Sequence, residues 1–325
     1  MMVLLRVMDG VSTWIVSIKN FFIISRAKIQ LGTPPHPLLG LILGATTISQ
    51  LFSSISLVYI MLYFLLITFA CNVNCLYDVH IDRKYKQHMS SAVRTLGKEN
   101  VKKIIILEVV AILGLILFLL DRGYFITAIL SLSGLLFGYI YSVEPIRIKG
   151  RGFFSPFPVL VGLYTLPVLG GWFIFQNSLS LYLVVFCIGY ALLNEGITLV
   201  NTCEDYEEDM KEDIRTWAHV LNMKKTMRIA FFFTIFGGLI ATAGVVLKPI
   251  QIGWTLFSTY SSVFFITLGI INTVIILRIG GDIYEAGSKG DLEASSKNAA
   301  KNMPKWFISS RYPLLIMALL PLVQV

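Results

Sequence analysis

Long apolar windows separated by short polar segments run along almost the whole chain. Nine of them approach the ~20 residues that a helix needs to cross the hydrocarbon core of a membrane. They fall at 35–54, 56–74, 104–120, 124–142, 153–175, 179–201, 227–247, 254–277 and 305–323. The first window is the weakest, because the segment TPPHP leads into it and Gln50 lies near its end. The pattern predicts about nine transmembrane helices, which we number as spans in this order.

The composition favours the same class of protein. Of the 325 residues, 56% are hydrophobic and 14% are charged, whereas roughly a quarter of the residues in a soluble globular domain are charged. The mean hydropathy is +0.75. We therefore predict an all-α, polytopic membrane protein. Residues 1–325 are expected to form one helical-bundle domain, with residues 1–30 as a surface segment that includes an amphipathic helix over 10–30.

Lysine and arginine are concentrated in alternate loops. When the N-terminus is placed inside, the inner segments hold 24 of the 27 lysines and arginines. By the positive-inside rule, this bias predicts a cell-membrane protein with its N-terminus on the cytoplasmic side. The basic residues are spread over several short loops, so we expect no nucleic-acid partner. Nothing in the sequence indicates an obligate protein partner.

Two polar clusters with the same spacing follow the second and the sixth spans. The segment NCLYDVHID has polar residues at steps of four, and we call them the first stripe: Asn74, Asp78 and Asp82. The segment NTCEDYEED has the same residue types at the same steps, and we call them the second stripe: Asn201, Asp205 and Asp209. The two spans run in the same direction, and both stripes lie on the inner side of the membrane. This recurrence predicts a parallel internal repeat with one stripe in each half.

The spacing of the stripes indicates a metal site. Residues four apart share a face of a helix, and like charges at that spacing destabilise it by ~0.2–0.5 kcal/mol per pair. A divalent cation is the simplest compensation, because carboxylate and amide oxygens are hard ligands that suit Mg²⁺. Two facing stripes would hold two ions with a diphosphate between them. The alternative, a solvated acidic turn around Asp205, is disfavoured by the recurrence of the spacing.

Polar residues continue from the second stripe into the sixth span. Asn194, Thr198, Asn201 and Asp205 are four, three and four residues apart, so they share one face of a helix. Polar residues within spans usually face the bundle interior or a cavity. For Asn194, a structural hydrogen bond and a contact with substrate are both open.

With these motifs, the chain resembles the UbiA superfamily of intramembrane prenyltransferases. That family has nine transmembrane helices and two aspartate-rich motifs, NDxxDxxxD after the second helix and DxxxD after the sixth. Asn74, Asp78 and Asp82 match the first motif, and Asp205 and Asp209 match the second. A third similar segment, YSVEPIRIKGRG, follows the fourth span. The resemblance covers most of the chain, from about residue 20 to about residue 320.

The chain departs from the family pattern in and after the first motif. Cys75 stands where many members have aspartate, and QHMSSAVRTLG replaces the Arg-Pro that is common there. Asp78 and Asp82 are retained, so the resemblance still implies metal binding. The altered loop leaves the acceptor class and the prenyl chain length open.

The resemblance implies a Mg²⁺-dependent transferase that moves an isoprenoid chain from a prenyl diphosphate to a lipophilic or aromatic acceptor in the bilayer. The two stripes are then the catalytic motifs, and two ions bridged by the diphosphate are bound by Asp78, Asp82, Asp205 and Asp209. Cationic side chains would stabilise the leaving pyrophosphate, and aromatic rings would stabilise the allylic cation. The candidate substrate-binding residues are Arg26, Arg94, Arg147, Lys149, Tyr139, Tyr141, Asn194 and Thr198.

Three alternatives stay open. A terpene cyclase of the same superfamily would ionise a prenyl diphosphate without an acceptor. A transporter would share the repeat, but the acidic residues cluster at span ends on one side, whereas transporter sites lie near the bilayer midplane. A purely structural protein would show no dependence on metal. The acceptor, the general base and the oligomeric state are not predicted.

Overall fold

The computed structural model describes residues 16–30, 32–251 and 259–323. In these ranges, eight helices are long and apolar enough to cross a membrane, and they match the second to the ninth predicted spans. Their bounds are Ser54–Tyr77, Lys98–Asp121, Phe125–Ser142, Gly152–Trp172, Leu181–Glu204, Met223–Gln251, Ser261–Ser288 and Met303–Val323. The prediction of an all-α, polytopic bundle is confirmed.

The first predicted span differs from the others. Its helix, Pro35–Gly44, has ten residues and is ~15 Å long, about half the thickness of a hydrocarbon core. The backbone becomes extended at Ala45, and only one short helix, Ile48–Leu51, follows before the second span. The prolines of TPPHP fit the first turn of a helix, where their missing N–H groups have no helical partner. The window at 35–54 therefore contains a half-length helix and not a full span.

Side chains from other segments satisfy the carbonyl groups at the end of this short helix. The Lys248 ammonium donates to the carbonyl oxygen of Ile42 at 2.6 Å. The Tyr182 hydroxyl and the Gln176 amide donate to the next two carbonyl oxygens, at 3.2 and 2.7 Å. The last carbonyl groups of a helix lack intrahelical partners, and a cation suits the negative end of the helix dipole. These contacts allow a helix to end inside the bundle.

The second and sixth spans repeat each other at both ends. Each has 24 residues and begins after a serine, Ser53 or Ser180, whose side chain accepts a hydrogen bond from the backbone three residues later. Each ends at an aspartate, Asp78 or Asp205, and a short second helix begins directly after it. The two halves of the chain therefore use the same start and stop signals around the two stripes.

The fifth span is irregular. It begins with a 3₁₀ turn at Gly152–Phe154, continues as a π-helix at Pro158–Thr165 and ends as an α-helix at Leu166–Trp172. Prolines at the starts of the last two segments remove N–H donors that a regular α-helix would use. π-helical turns are rare and occur often at functional sites. This segment forms one wall of the cavity described below.

Small residues bring the sixth and seventh spans close together. A Cβ atom on Gly189 would come within 2.1 Å of the Ala241 nitrogen, and one on Gly237 within 2.3 Å of the Leu193 nitrogen. In membranes, such positions let helix backbones approach and gain packing contacts. Residues of both spans belong to the largest hydrophobic cluster among the described residues. The second stripe thus extends from a tightly packed helix.

Short helices cover the ends of the spans that carry the stripes. Their bounds are Val79–Tyr85, Gln87–Leu96, Tyr206–Lys211, Trp217–Leu221 and Leu292–Ala300. A backbone hydrogen bond from Gly152 to Arg215, 2.7 Å long, joins the loops after the fourth and sixth spans. At the N-terminus, residues 16–24 and Ala27–Gln30 are helical. The part of the predicted amphipathic helix over 10–15 lies outside the described residues.

Candidate active site

Both stripes line one cavity. Its volume is about 460 Å³, and its walls come from the N-terminal segment and from the second, fourth, fifth, sixth and ninth spans. The lining includes all six residues of the stripes: Asn74, Asp78, Asp82, Asn201, Asp205 and Asp209. Residues that are 127 positions apart in sequence therefore face the same space.

The first stripe lies where the second span ends. Asp78 ends the helix, and the Asn74 amide donates to its Oδ2 atom at 2.7 Å. The Arg26 guanidinium donates to Asn74 Oδ1 at 2.5 Å. Asp82 lies one turn later, and its buried Oδ2 atom has no hydrogen-bond partner among the described residues. An unpartnered carboxylate oxygen in this position is available to a cation.

The second stripe repeats this arrangement at the end of the sixth span. The Asn201 amide donates to Asp205 Oδ2 at 2.9 Å, and Asp205 ends the helix. Asp209 lies one turn later in the next short helix, Tyr206–Lys211. In both halves an asparagine therefore orients the aspartate that follows it by four residues.

Basic side chains from two further segments reach the stripes. Lys149 donates to Asp78 Oδ2, and Arg147 donates to Asp78 Oδ1 at 3.2 Å. Lys86 forms an ion pair with Asp205 at 3.3 Å. Because Lys86 follows the first stripe in sequence and contacts the second stripe in space, it links the two halves of the repeat.

The cavity has a surplus of negative charge. Its lining holds five acidic and three basic side chains. Burial, together with the neighbouring Asp205, raises the pKa of Asp209 to about 7. Burial and the neighbouring Asp78 also raise the pKa of Asp82. Burial lowers the pKa of Lys149 although its partner Asp78 opposes this. The charge surplus, together with the raised pKa values of Asp82 and Asp209, indicates that an added cation would stabilise the ionised carboxylates.

The donor set fits Mg²⁺ bound together with a phosphate-bearing ligand. Within the described ranges, no three His, Cys, Asp or Glu side chains come together as a metal site made by the protein alone. Mg²⁺ does not require such a cage, because it keeps several waters and usually binds one or two carboxylates plus substrate phosphate. The unpartnered oxygen of Asp82 and the surplus of carboxylates meet that requirement.

Three of the four non-glycine residues with positive φ angles in the described ranges lie at the stripes or close to them in sequence, and the fourth is Asn222. Arg26, Arg147 and Asp213 have positive φ angles of 52°, 35° and 53°. Residues other than glycine rarely adopt this region, and such strain is often found at active sites. Arg26 and Arg147 both contact the first stripe. The strained backbone thus places two guanidinium groups against the same cluster.

The sequence matches the UbiA prenyltransferase family over residues 37–281. The chain belongs to this family. The matched region contains both stripes and most of the cavity wall. It also confirms the resemblance drawn from the two motifs. No curated protein sequence matches the chain.

Solved structures show that this UbiA-family protein shares its fold with homologues of low sequence identity. A structure of digeranylgeranylglyceryl phosphate synthase is 17% identical, with a TM-score of 0.62 over 93% of this chain and 99% of the other. A UbiA homologue from Archaeoglobus fulgidus is 13% identical, with a TM-score of 0.65 over 94% and 99%. A UbiA homologue from that organism bound to DMAPP and Mg²⁺ is 15% identical, with a TM-score of 0.59 over 87% and 99%.

Most predicted substrate residues of this UbiA-family protein lie at the cavity. Arg26, Tyr141, Lys149 and Thr198 line it. Arg147 is not part of the lining but contacts Asp78 from the loop after the fourth span. The structure therefore brings these five side chains to the stripes or to the wall beside them.

Three predicted substrate residues lie elsewhere. Arg94 is exposed and donates to Ser91 at 3.2 Å, because the helix Gln87–Leu96 turns its other face inward. Tyr139 is 47% exposed. It lies two residues before Tyr141 on the same helix, and side chains two residues apart point to nearly opposite sides of a helix. Asn194 is buried away from the cavity lining, where its amide oxygen accepts a hydrogen bond that fits the structural alternative.

The donor to Asn194 is Arg311, which the sequence reasoning did not select. Arg311 Nε lies 2.6 Å from Asn194 Oδ1, and its guanidinium stacks 4.0 Å from the ring of Phe307. The sequence did contain a signal for this residue: it is a single arginine within the last apolar window, and charged residues within spans usually have a specific partner. Lys86 was one of several basic candidates after the first stripe and was not selected either, although it continues the stripe by one more step of four residues.

Proposed function

We propose that this protein transfers an isoprenoid chain from a prenyl diphosphate to a lipophilic or aromatic acceptor in a Mg²⁺-dependent reaction. The main support is the meeting of two aspartate stripes and a strained arginine in one cavity whose remaining wall is largely apolar. A diphosphate with metal ions fits the polar part, and a hydrocarbon chain fits the apolar part. The UbiA homologue that binds DMAPP and Mg²⁺ is consistent with this assignment.

Three cations of the cavity wall are proposed to hold the diphosphate. Arg26 is the strongest candidate, because its buried Nε atom has no hydrogen-bond partner among the described residues. Lys149 and Lys86 each contact one stripe, so both ammonium groups lie where diphosphate oxygens would bind. Positive groups fixed at the leaving oxygen stabilise the charge that develops as the bond breaks.

The aspartates of the stripes are proposed to bind two Mg²⁺ ions that the diphosphate bridges. Bound metal supplies Lewis-acid stabilisation of the leaving pyrophosphate. Asn74 and Asn201 keep Asp78 and Asp205 in position through the hydrogen bonds that recur in both halves. The assigned ligands are Asp78, Asp82, Asp205 and Asp209.

The chemistry requires a dry wall beside the stripes. The C1–O bond of the prenyl diphosphate breaks, and its electron pair leaves with the pyrophosphate. Tyr141 lines the cavity, and its ring can stabilise the allylic cation because ring faces attract positive charge. A carbon or hydroxyl group of the acceptor then bonds to C1 and loses its proton. Tyr139 has no part in this step, since it faces outward.

The molecule is proposed to act as one domain over residues 1–325, with its N-terminus and both stripes on the cytoplasmic side of the cell membrane. The concentration of lysine and arginine in the inner loops supports this orientation. Both substrates would reach the cavity from the bilayer or from the inner face. The proposal includes no obligate protein partner and no nucleic acid.

The proposed function is tested by incubating purified protein with prenyl diphosphates of several lengths, with and without Mg²⁺. The acceptor panel should include aromatic acids, quinone precursors and glycerophosphate lipid precursors. We expect a product that joins two molecules and the release of pyrophosphate only with Mg²⁺. A cyclic product without acceptor would indicate the cyclase alternative. Absence of metal-dependent consumption of every prenyl diphosphate would overturn the proposal.

A further inference from the structure

The cavity ends in a polar wall on the side away from the stripes. Tyr59 and Tyr63, both on the second span, line this part. The Tyr59 hydroxyl donates to the carbonyl oxygen of Pro167 at 2.6 Å, and this bond closes the wall between the second and fifth spans. Tyr63 is 3% exposed, and its hydroxyl oxygen is shielded from the cavity. Its ring therefore occupies this end of the cavity and is held by the surrounding helices.

His36 packs behind Tyr63 and supports its ring. The two rings pack edge to face with their centroids 6.2 Å apart. His36 Nδ1 pairs with the Tyr190 hydroxyl at 2.8 Å, while its buried Nε2 atom lacks a partner among the described residues. The Tyr190 hydroxyl holds the His36 ring in place, and the His36 ring in turn limits the movement of Tyr63. Closely packed side chains do not yield easily to added atoms. A chain that reached this wall would therefore bind less tightly than one that stopped before it.

Helix geometry gives the distance from the stripes to the wall. Asn74 and Tyr63 are eleven residues apart on one helix, which is ~16 Å along its axis. Gly134, on the fourth span, lies between these two levels. A Cβ atom on Gly134 would enter the cavity and come 3.8 Å from Leu66, which is ~12 Å from Asn74 along the helix. The missing side chain at Gly134 thus leaves the path to Tyr63 open.

We propose that Tyr63 limits the length of the isoprenoid chain and that Gly134 keeps the chain's path open. The inference rests on the proposed function, because the stripes must hold the diphosphate for the distance to matter. With the diphosphate held there, a chain that ends before Tyr63 leaves the wall undisturbed. A longer chain must displace the Tyr63 ring or bend within the cavity. Tyr63 is therefore a specificity-determining residue for the prenyl substrate.

The test measures the dissociation constants of dimethylallyl, geranyl, farnesyl and geranylgeranyl diphosphate in the presence of Mg²⁺. For the wild type we expect a step in affinity: binding should weaken at least tenfold at the shortest prenyl diphosphate whose chain is long enough to reach Tyr63. In Tyr63→Ala the loss of affinity should occur at a longer prenyl chain than in the wild type. In Gly134→Val it should occur at a shorter one. Tyr63→Phe should keep the step at the same chain length, because it retains the ring.

The matched control is Tyr139→Ala, whose side chain is exposed and outside the cavity. This variant should keep the wild-type step. Shifts in opposite directions for Tyr63→Ala and Gly134→Val cannot come from a general loss of folding. If the wild type shows no step, or if both variants keep it unchanged, the inference is overturned while the proposed function stands. If no prenyl diphosphate binds with Mg²⁺, the proposed function fails and the inference fails with it.

Discussion

Single residues of the stripes act through the bonds that orient them. Asn74 and Asn201 each hold an aspartate, and Arg26 holds Asn74 from the other side. The sequence was sufficient to predict the stripes, because residues four apart share a helix face in any context. It was not sufficient to choose between Tyr139 and Tyr141. Which side of the fourth span faces the cavity depends on packing against other spans.

Arg26→Gln should weaken the binding of the prenyl diphosphate. A hydrogen bond to a charged group contributes ~1.5–3 kcal/mol, so we expect KM for the prenyl diphosphate to rise about tenfold or more. Lys19→Gln is the matched control, because Lys19 is an exposed cation in the same N-terminal segment. Steady-state kinetics at saturating Mg²⁺ measure both variants. Equal KM values for the Arg26 and Lys19 variants would remove Arg26 from the diphosphate site.

Asp209 should make the stability of the metal-free protein depend on pH. Its pKa is about 7 in the folded protein against an ordinary value of 3.8. Between these values the folded state binds more protons than the unfolded state, so stability falls as pH rises towards about 7. Asp209→Asn removes this effect. Without Mg²⁺, the Tm of the variant should therefore exceed that of the wild type more at high pH than at low pH.

Measurements at about pH 5 and about pH 8 bracket most of this window. Added Mg²⁺ should raise the Tm of the wild type at the higher pH, since a bound cation stabilises the ionised carboxylate. Asp209→Asn should respond less. A Tm difference between variant and wild type that is the same at both pH values would contradict the assigned environment of Asp209.

Whole elements were predicted well where they are regular and poorly where other segments interrupt them. Length and hydropathy are local properties, so eight windows became the expected long helices. The half-length helix Pro35–Gly44 was not predicted, because its end depends on Lys248 and Tyr182 from distant spans. The π-helix at Pro158–Thr165 was also not predicted, since apolar periodicity does not distinguish it from an α-helix.

The close packing of the sixth and seventh spans should be sensitive to a single side chain. Gly189→Leu would force atoms into the backbone near Ala241, and overpacking typically costs ~1–3 kcal/mol, occasionally more. We expect the free energy of unfolding to fall by at least this amount in denaturant titrations. Gly114→Leu is the matched control, because a Cβ there meets nothing within 4 Å. Equal stability of the two variants would contradict the described packing.

At the scale of the whole molecule, the repeat produces the site. Each half brings one span, one stripe and one asparagine–aspartate bond, and Lys86 links the halves by pairing with Asp205. The recurrence in sequence predicted that two stripes meet. It did not predict the shape of the cavity beyond them, because Tyr59, Tyr63 and Gly134 carry no signal until the spans are packed together. The family match confirms the class of protein, and the cavity suggests how its substrate is selected.

The most direct measurement removes one carboxylate from each half in turn. Asp78→Ala and Asp205→Ala are compared with Asp282→Ala, an exposed acidic residue outside the cavity lining. The measured quantity is Mg²⁺-dependent turnover of a prenyl diphosphate by folded, purified protein. If the stripes share one metal-bridged diphosphate, each of the first two variants should lose on the order of 100- to 1000-fold in kcat, and Asp282→Ala should keep the wild-type rate. Near-normal turnover by either Asp78→Ala or Asp205→Ala would contradict the shared site.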